Sequence, residues 1–158
     1  HARQLGLAFQ LTNFIRDIGE DAERGRVYLP EADLERFGVV RADLAATQAA
    51  PAVAELLAFE TERARAHYRA AEPGIELLVP SSRPCVRVAF DLYGGILDEV
   101  ERAGYQVLAR RVAVPRHRRL GVAGRHLIAA RAAARAERRV SVATPGRPGP
   151  ATTRWSSW

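Results

Sequence analysis

Apolar residues recur at intervals of three or four along most of this chain, which is the period of an amphipathic helix. Leu7, Leu11, Phe14, Ile15 and Ile18 form one such stripe near the beginning of the sequence. No stretch of convincing length alternates apolar and polar residues, so the pattern predicts an all-α fold. Proline and glycine mark the helix boundaries. The predicted helices span residues 3–22, 31–37, 51–72, 84–103, 105–112 and 115–139.

The composition changes near residue 140. Residues 140–158 are rich in Thr, Pro, Gly, Arg, Ser and Trp, which predicts a disordered tail after one helical domain, residues 1–139. The charge changes as well. Residues 1–109 hold 12 arginines and 17 acidic residues, a net charge of −5, whereas residues 110–158 hold 12 arginines and one acidic residue, a net charge of +11.

The basic end has three interpretations: a solvated extension, an arm that binds nucleic acid, and an arm attracted to anionic lipid. Aromatic residues do not interleave the Ala- and Arg-rich segment, so we expect no nucleic-acid partner. The single cysteine, Cys85, excludes a disulfide framework and is expected to be a buried, inert thiol. These features favour a cytoplasmic protein, with peripheral membrane contact as the alternative to a purely solvated end.

The first predicted helix carries the strongest chemical signal. At about 100° per residue, Gln10, Asn13, Asp17 and Asp21 fall within an arc of roughly 80°, next to the apolar stripe. Oxygen ligands of this kind suit Mg²⁺, or Mn²⁺ in its place, which binds through one or two carboxylates together with substrate phosphates. From the spacing alone, a solvated acidic face explains the same pattern equally well.

The surrounding sequence separates the two interpretations. Residues 10–21 read Gln-Leu-Thr-Asn-Phe-Ile-Arg-Asp-Ile-Gly-Glu-Asp, and residues 24–30 read Arg-Gly-Arg-Val-Tyr-Leu-Pro. This string resembles the second aspartate-rich motif of the squalene and phytoene synthases. Residues 93–101, 104–105 and 110–112 are similar to the carboxy-terminal helices of that family, although residues 105–108 read Tyr-Gln-Val-Leu where the family usually has Tyr-Asp-Val-Phe. The resemblance covers about residues 3–123.

The resemblance implies the carboxy-terminal half of an isoprenoid synthase helical bundle. Such enzymes condense two prenyl diphosphates head-to-head between two opposing aspartate motifs that bind Mg²⁺. Carried over to this chain, it implies metal ligands, substrate-binding residues and catalytic residues in one region. The implied metal ligands are Asn13, Asp17 and Asp21; the implied substrate-binding residues are Gln10, Arg16, Arg26 and Arg110; the implied catalytic residues are Asp17, Asp21, Tyr28 and Tyr93.

The family's first aspartate motif has no counterpart in residues 22–158. We therefore expect the missing amino-terminal half to lie in a parent protein and the chain alone to be inactive or very weak. The leading hypothesis is a prenyltransferase that converts two molecules of geranylgeranyl diphosphate into phytoene in carotenoid biosynthesis. The alternatives are a squalene or dehydrosqualene synthase acting on farnesyl diphosphate, and a non-catalytic helical assembly protein.

Overall fold

The computed structural model describes residues 1–143, and within that part of the chain the regular structure is entirely helical. The all-α prediction is confirmed, and five of the six predicted helices are present with boundaries that agree to within a few residues. Two short 3₁₀ turns, Arg41–Ala45 and Glu72–Leu77, were not predicted. The α-helices are α1 (Ala2–Glu23), α2 (Glu31–Arg36), α3 (Pro51–Ala71), α4 (Arg83–Arg102) and α5 (Arg116–Ala143).

The central contact of the fold is the packing of α1 against α3. Helix α1 buries Ala8, Thr12 and Ile15 completely, and small side chains at two of these three positions allow α3 to approach closely. On α3, the apolar residues at the interface are fully buried at helical spacing. They include Val53, Leu56, Leu57 and Ala64.

The buried face of α1 is rotated relative to the predicted stripe. Ile15 and Ile18 are buried as predicted, but Leu11 and Phe14 are only partly buried at the margin of the core. The other buried positions of the helix are Ala8, Thr12 and Gly19, which carry small side chains or none. The prediction was based on large apolar residues and took no account of small ones. It therefore placed the centre of the packed face in the wrong position around the helix.

Residues 105–115 form the crossing segment, an irregular stretch that passes from the end of α4 across α1 and back to α4. The prediction of a helix over residues 105–112 is wrong. Gly104 and Tyr105 both have positive φ, 58° and 60°, which reverses the chain direction and prevents a helix from starting there. The side chain of Gln106 then replaces helical hydrogen bonds by bonding both the N–H and the carbonyl of Ala49, at 2.9 and 3.0 Å.

The crossing segment meets α1 at a glycine. A Cβ at position 19 would overlap the backbone carbonyl of Leu108, so only a residue without a side chain permits this contact. Val107 and Leu108 are buried beside it, 1% and 6% exposed, which anchors the segment in the core. Gly19 therefore determines how closely residues 105–115 lie to α1.

A buried charged cluster joins α2 to α3. Glu60 is completely buried, and the guanidinium Nη1 of Arg63 donates to Glu60 at 2.9 Å and to Asp33 of α2 at 2.7 Å. Burial raises the pKa of Glu60 to about 7, an effect that the charge of Arg63 opposes and the neighbouring Asp33 reinforces. The hydrogen bond from Arg63 lowers the pKa of Asp33. One arginine thus donates hydrogen bonds to two carboxyl groups. The Glu60 carboxyl group is protonated from solvent as the pH falls through neutrality.

The remaining expectations are partly met. Helix α5 continues to Ala143, past the predicted domain boundary at residue 139, and the rest of the predicted tail, residues 144–158, lies outside the described residues. Cys85 is exposed on the first turn of α4, so the expectation of a buried thiol is wrong. None of the helices in residues 1–143 is both long enough and apolar enough to cross a membrane.

Replacing Gly19 with alanine should lower the free energy of unfolding by about 1 to 3 kcal/mol, because the new methyl group meets backbone atoms that cannot rotate away. Gly6→Ala is the matched control: Gly6 lies on the same helix with no atom within 4 Å of its Cβ position, so alanine there should stabilise by up to about 1 kcal/mol. Urea denaturation of the purified chain measures both effects. Equal responses of the two variants would contradict the proposed close contact.

The contribution of Glu60 to the stability of the chain should fall as pH rises from about 4.5 to about 7. In that window the folded state retains the Glu60 proton and the unfolded chain releases it, so stability is lost as pH rises through the folded pKa. Glu60→Gln mimics the protonated form, and its advantage over the wild type should grow by roughly 1 to 3 kcal/mol between pH 5 and pH 8.

Denaturant unfolding at both pH values tests this expectation. Glu62→Gln is the control on the same helix, since Glu62 is exposed and paired with Arg69 at 2.6 Å. An advantage of Glu60→Gln that does not change with pH would show that Glu60 has an ordinary pKa.

Candidate active site

The predicted oxygen ligands lie on one side of α1. Successive spacings of three, four and four residues bring Gln10, Asn13, Asp17 and Asp21 to the same helical face, away from the side that packs against α3. Gln10 is exposed, whereas the other three are half-buried. The helix thus packs through one face and presents a column of carboxylate and amide groups on another.

The Asp17 carboxylate is held by two arginines. Arg16 donates from Nε to Oδ1 at 2.8 Å and from Nη2 to Oδ2 at 2.6 Å. Arg111 of the crossing segment places its Nε 2.7 Å from Oδ1 and donates from Nη2 to Oδ2 at 3.1 Å. Arg16 therefore binds the carboxylate through two parallel hydrogen bonds, and Arg111 binds it through one hydrogen bond and one close ionic contact.

These contacts determine the ionisation of Asp17. Burial alone would raise the pKa of the carboxyl group, but the hydrogen bonds and charges of Arg16 and Arg111 outweigh burial and lower the pKa below its ordinary value. The same pairing raises the pKa of Arg16, and the nearby Tyr93 adds to that shift. Asp17 is consequently a carboxylate throughout the physiological pH range.

Unlike Asp17, neither Asn13 nor Asp21 has a cationic partner for its side-chain oxygens in the described part of the chain. The side-chain oxygen Oδ1 of Asn13 is buried without a hydrogen-bond partner in the described part of the chain. The carboxylate of Asp21 forms no ion pair with a described residue, although its backbone carbonyl accepts the N–H groups of Arg24 and Arg26. A buried acceptor without a partner is costly, so the Asn13 oxygen is a natural position for a ligand.

The loop after α1 folds back beside Asp21. Tyr28 stacks on Phe14 with ring centroids 4.7 Å apart and ring planes 9° from parallel. Both rings line a small cavity with Asp21 and Arg26. The structure therefore brings the predicted residues Arg26 and Tyr28 to the end of the aspartate column.

Tyr93 of α4 lies near Arg16, another of the predicted substrate-binding arginines. It lines a cleft of about 420 Å³ together with Arg16, Arg111 and Arg119. The floor of the cleft is apolar. A cleft with cationic side chains at one edge and apolar side chains beneath suits an amphiphilic anion.

An aromatic row continues from Tyr93 into the core. The Tyr93 ring lies tilted against Phe9, with ring centroids 4.6 Å apart. The Phe9 ring lies 6.0 Å from the Tyr68 ring, and Tyr68 meets Phe90 edge-on at 5.1 Å. The Tyr68 hydroxyl is 3.0 Å from Oγ1 of Thr12. Burial raises the pKa of Tyr68 to about 12, so its hydroxyl stays neutral at all physiological pH values.

Two predicted site residues are not brought into these contacts. Gln10 and Arg110 are both exposed, and neither hydrogen-bonds to another side chain within residues 1–143. Sequence reasoning chose Arg110 and missed its neighbour Arg111. Two adjacent arginines give the same signal, and only the path of the crossing segment determines which of them reaches α1.

A larger groove lies elsewhere. It has a volume of about 900 Å³ between α3, α4 and α5, and none of the predicted site residues lines it. Its charged side chains are largely paired, as in Arg65 with Asp98 at 3.0 Å. Across residues 1–143 there is also no group of three or more His, Cys, Asp or Glu side chains with metal-binding geometry, so the ligand set on α1 depends on two carboxylates and an amide.

Comparison with known proteins identifies the family. The family described as Squalene/phytoene synthase matches residues 1–118. A phytoene synthase from Arthrospira platensis is 49% identical over 111 residues, which are 70% of this chain and 36% of that protein. A 15-cis-phytoene synthase from Synechocystis sp. is 47% identical over 116 residues, 73% of this chain and 34% of that protein.

A solved structure agrees with these relatives. The crystal structure of a dehydrosqualene synthase in complex with ligand superposes with a TM-score of 0.73 at 28% sequence identity, covering 83% of this chain and 46% of that chain. The chain spans about a third of the length of the two relatives named above. From the family match and the shared helical fold together, the chain belongs to the squalene/phytoene synthase family.

Proposed function

We propose that this chain contributes the second aspartate motif to a prenyltransferase that joins two molecules of geranylgeranyl diphosphate head-to-head to form phytoene. The observation that supports this most directly is the column of Asn13, Asp17 and Asp21 beside a cationic cleft with an apolar floor. Relatives that are 40 to 49% identical to this chain over the 111 to 119 aligned residues are named phytoene synthases. They favour the C20 substrate over a shorter one.

The column fits a hard divalent cation. Its donors are all oxygen atoms, and the unpartnered Asn13 oxygen is free to accept a ligand. Asn13, Asp17 and Asp21 would hold Mg²⁺, with Mn²⁺ as a substitute of similar ligand preference. When bound, the metal would neutralise the charge that develops on the departing diphosphate.

The arginines would orient the diphosphate. Arg16 and Arg111 line the cleft next to Asp17, while Arg26 lies beside Asp21 at the other end of the column. Guanidinium groups bind phosphate oxygens with two parallel hydrogen bonds, which fixes the direction in which the leaving group departs. Gln10 and Arg110, which are exposed in this structure, would contribute at the edge of the site.

The aromatic side chains would protect the reacting carbon atoms. Tyr93 lines the cleft and Tyr28 is stacked on Phe14 beside Asp21. Aromatic faces stabilise cations and exclude water, which would otherwise trap a carbocation as an alcohol. We propose Tyr28 and Tyr93 as the residues that perform this task.

Activity would require a second aspartate cluster opposite the first. Asp17 and Asp21 supply only one side of the diphosphate, and the chain covers 36% of the length of the Arthrospira relative. We propose that polypeptide corresponding to the rest of that length completes the site. A second candidate function, condensation of farnesyl diphosphate, is favoured by the structural similarity to a dehydrosqualene synthase.

A chimera tests the proposal. Residues 1–118 of this chain should replace the matching part of the Arthrospira phytoene synthase and yield phytoene from geranylgeranyl diphosphate and Mg²⁺. Asp17→Asn and Asp21→Asn should each reduce product formation by about a hundredfold or more, because each removes a charged metal ligand. Product analysis by chromatography, with farnesyl diphosphate assayed in parallel, distinguishes the two substrates.

Glu20→Gln is the matched control for the chimera. Glu20 lies on the same helix between the two aspartates and, within residues 1–143, pairs only with Arg24 at 3.6 Å near the surface. The proposal would be wrong if Asp17→Asn retained full activity, or if a folded chimera with all three ligands formed no prenyl product. The isolated chain, assayed alone, should give little or no product.

A further inference from the structure

We propose that Arg111 acts as an internal counter-cation, which occupies Asp17 in the metal-free protein and must leave before a divalent metal ion can bind there. The inference rests on the proposed metal site and goes further, because it assigns a role to a residue outside the predicted site. Its consequence is that this half of the site has a lower metal affinity than its ligands alone would give.

Both oxygens of the Asp17 carboxylate are covered by arginine nitrogens. Oδ1 accepts Nε–H of Arg16 at 2.8 Å and lies 2.7 Å from Nε of Arg111. Oδ2 accepts Nη2–H of Arg16 at 2.6 Å and Nη2–H of Arg111 at 3.1 Å. Two guanidinium cations therefore flank the carboxylate, and a metal ion can bind there only where one of them withdraws.

Of the two arginines, Arg111 is the one that can withdraw. Arg16 is adjacent to Asp17 on the same helix, and its side chain is only 18% exposed. The Arg111 side chain is 47% exposed and belongs to a different segment of the chain. Exposed ion pairs contribute little net stability, so the contact from Arg111 costs less to break than the contact from Arg16.

The backbone of the crossing segment does not need to move for this exchange. It is held by the contact between Gly19 and Leu108 and by the two hydrogen bonds between Gln106 and Ala49. Arg111 also lines the 420 Å³ cleft, so a rotated side chain still faces the same space. An anion in that cleft would give the released guanidinium a new partner.

The other two ligands are not paired with a cation. The Asn13 oxygen is buried without a hydrogen-bond partner, and the Asp21 carboxylate has no ion pair with any residue the structure describes. The three ligands of the column therefore differ in whether a cation already occupies them. A metal ion meets free oxygens at Asn13 and Asp21 and a competing cation at Asp17.

Binding of Mn²⁺ alone to the purified chain, followed by the electron paramagnetic resonance signal of the free ion, tests the inference without any catalytic assay. Arg111→Gln should bind Mn²⁺ roughly fivefold more tightly than the wild type, because it removes a cation that lies within 3.1 Å of both carboxylate oxygens. Arg116→Gln is the matched control: it removes the same charge from an exposed residue five positions further along the chain and should leave the affinity nearly unchanged. Equal affinities of Arg111→Gln and the wild type, or equal gains in both variants, would overturn the inference.

Asp17→Asn separates this inference from the proposed metal site. If Mn²⁺ binding depends on Asp17 in both the wild type and Arg111→Gln, while their affinities are equal, the metal site stands and the competition by Arg111 is wrong. If Mn²⁺ fails to bind Arg111→Gln at millimolar concentration, or binds regardless of Asp17, both the site and the competition are wrong. Circular dichroism of each variant checks that the helices are intact.

Discussion

The 3.6-residue period of α1 is the constraint on which the rest of the structure depends. One face of this helix must bury Ala8, Thr12 and Ile15 against α3, and another must present Asn13, Asp17 and Asp21. Both requirements are met within 22 residues because the two sets of positions are offset around the helix axis. A kink or a register shift would disturb the packing and the ligand column together.

The other elements fix what surrounds that column. The cluster of Asp33, Glu60 and Arg63 ties α2 to α3, and α2 follows directly after the loop that contains Arg26 and Tyr28. The crossing segment contacts the middle of the column by placing Arg111 on Asp17. Burying charged groups costs desolvation free energy. In this chain the buried cluster lies beside the loop that approaches the column.

Helical periodicity and punctuation by Pro and Gly were enough to predict the main helices, and one continuous string of residues was enough to predict the site helix and its family. The errors have physical causes. A buried face made of Ala8, Thr12 and Gly19 gives no hydrophobic signal. The reversal at Tyr105 depends on a positive φ that no residue type enforces there. The pairing of Arg111 with Asp17 spans 94 positions in sequence, so no local pattern could distinguish it from Arg110.

The contact between Gly19 and Leu108 also changes how the aspartate motif should be interpreted. Asp17 and Asp21 are separated by three residues, and the middle one is fixed by the backbone of a distant segment instead of by any ligand. A mutational scan of this helix would find an intolerant position between the two acids and attribute it to the chemistry of the site. The intolerance would come from architecture, because this glycine supports the packing of the helix without touching any of the proposed ligands.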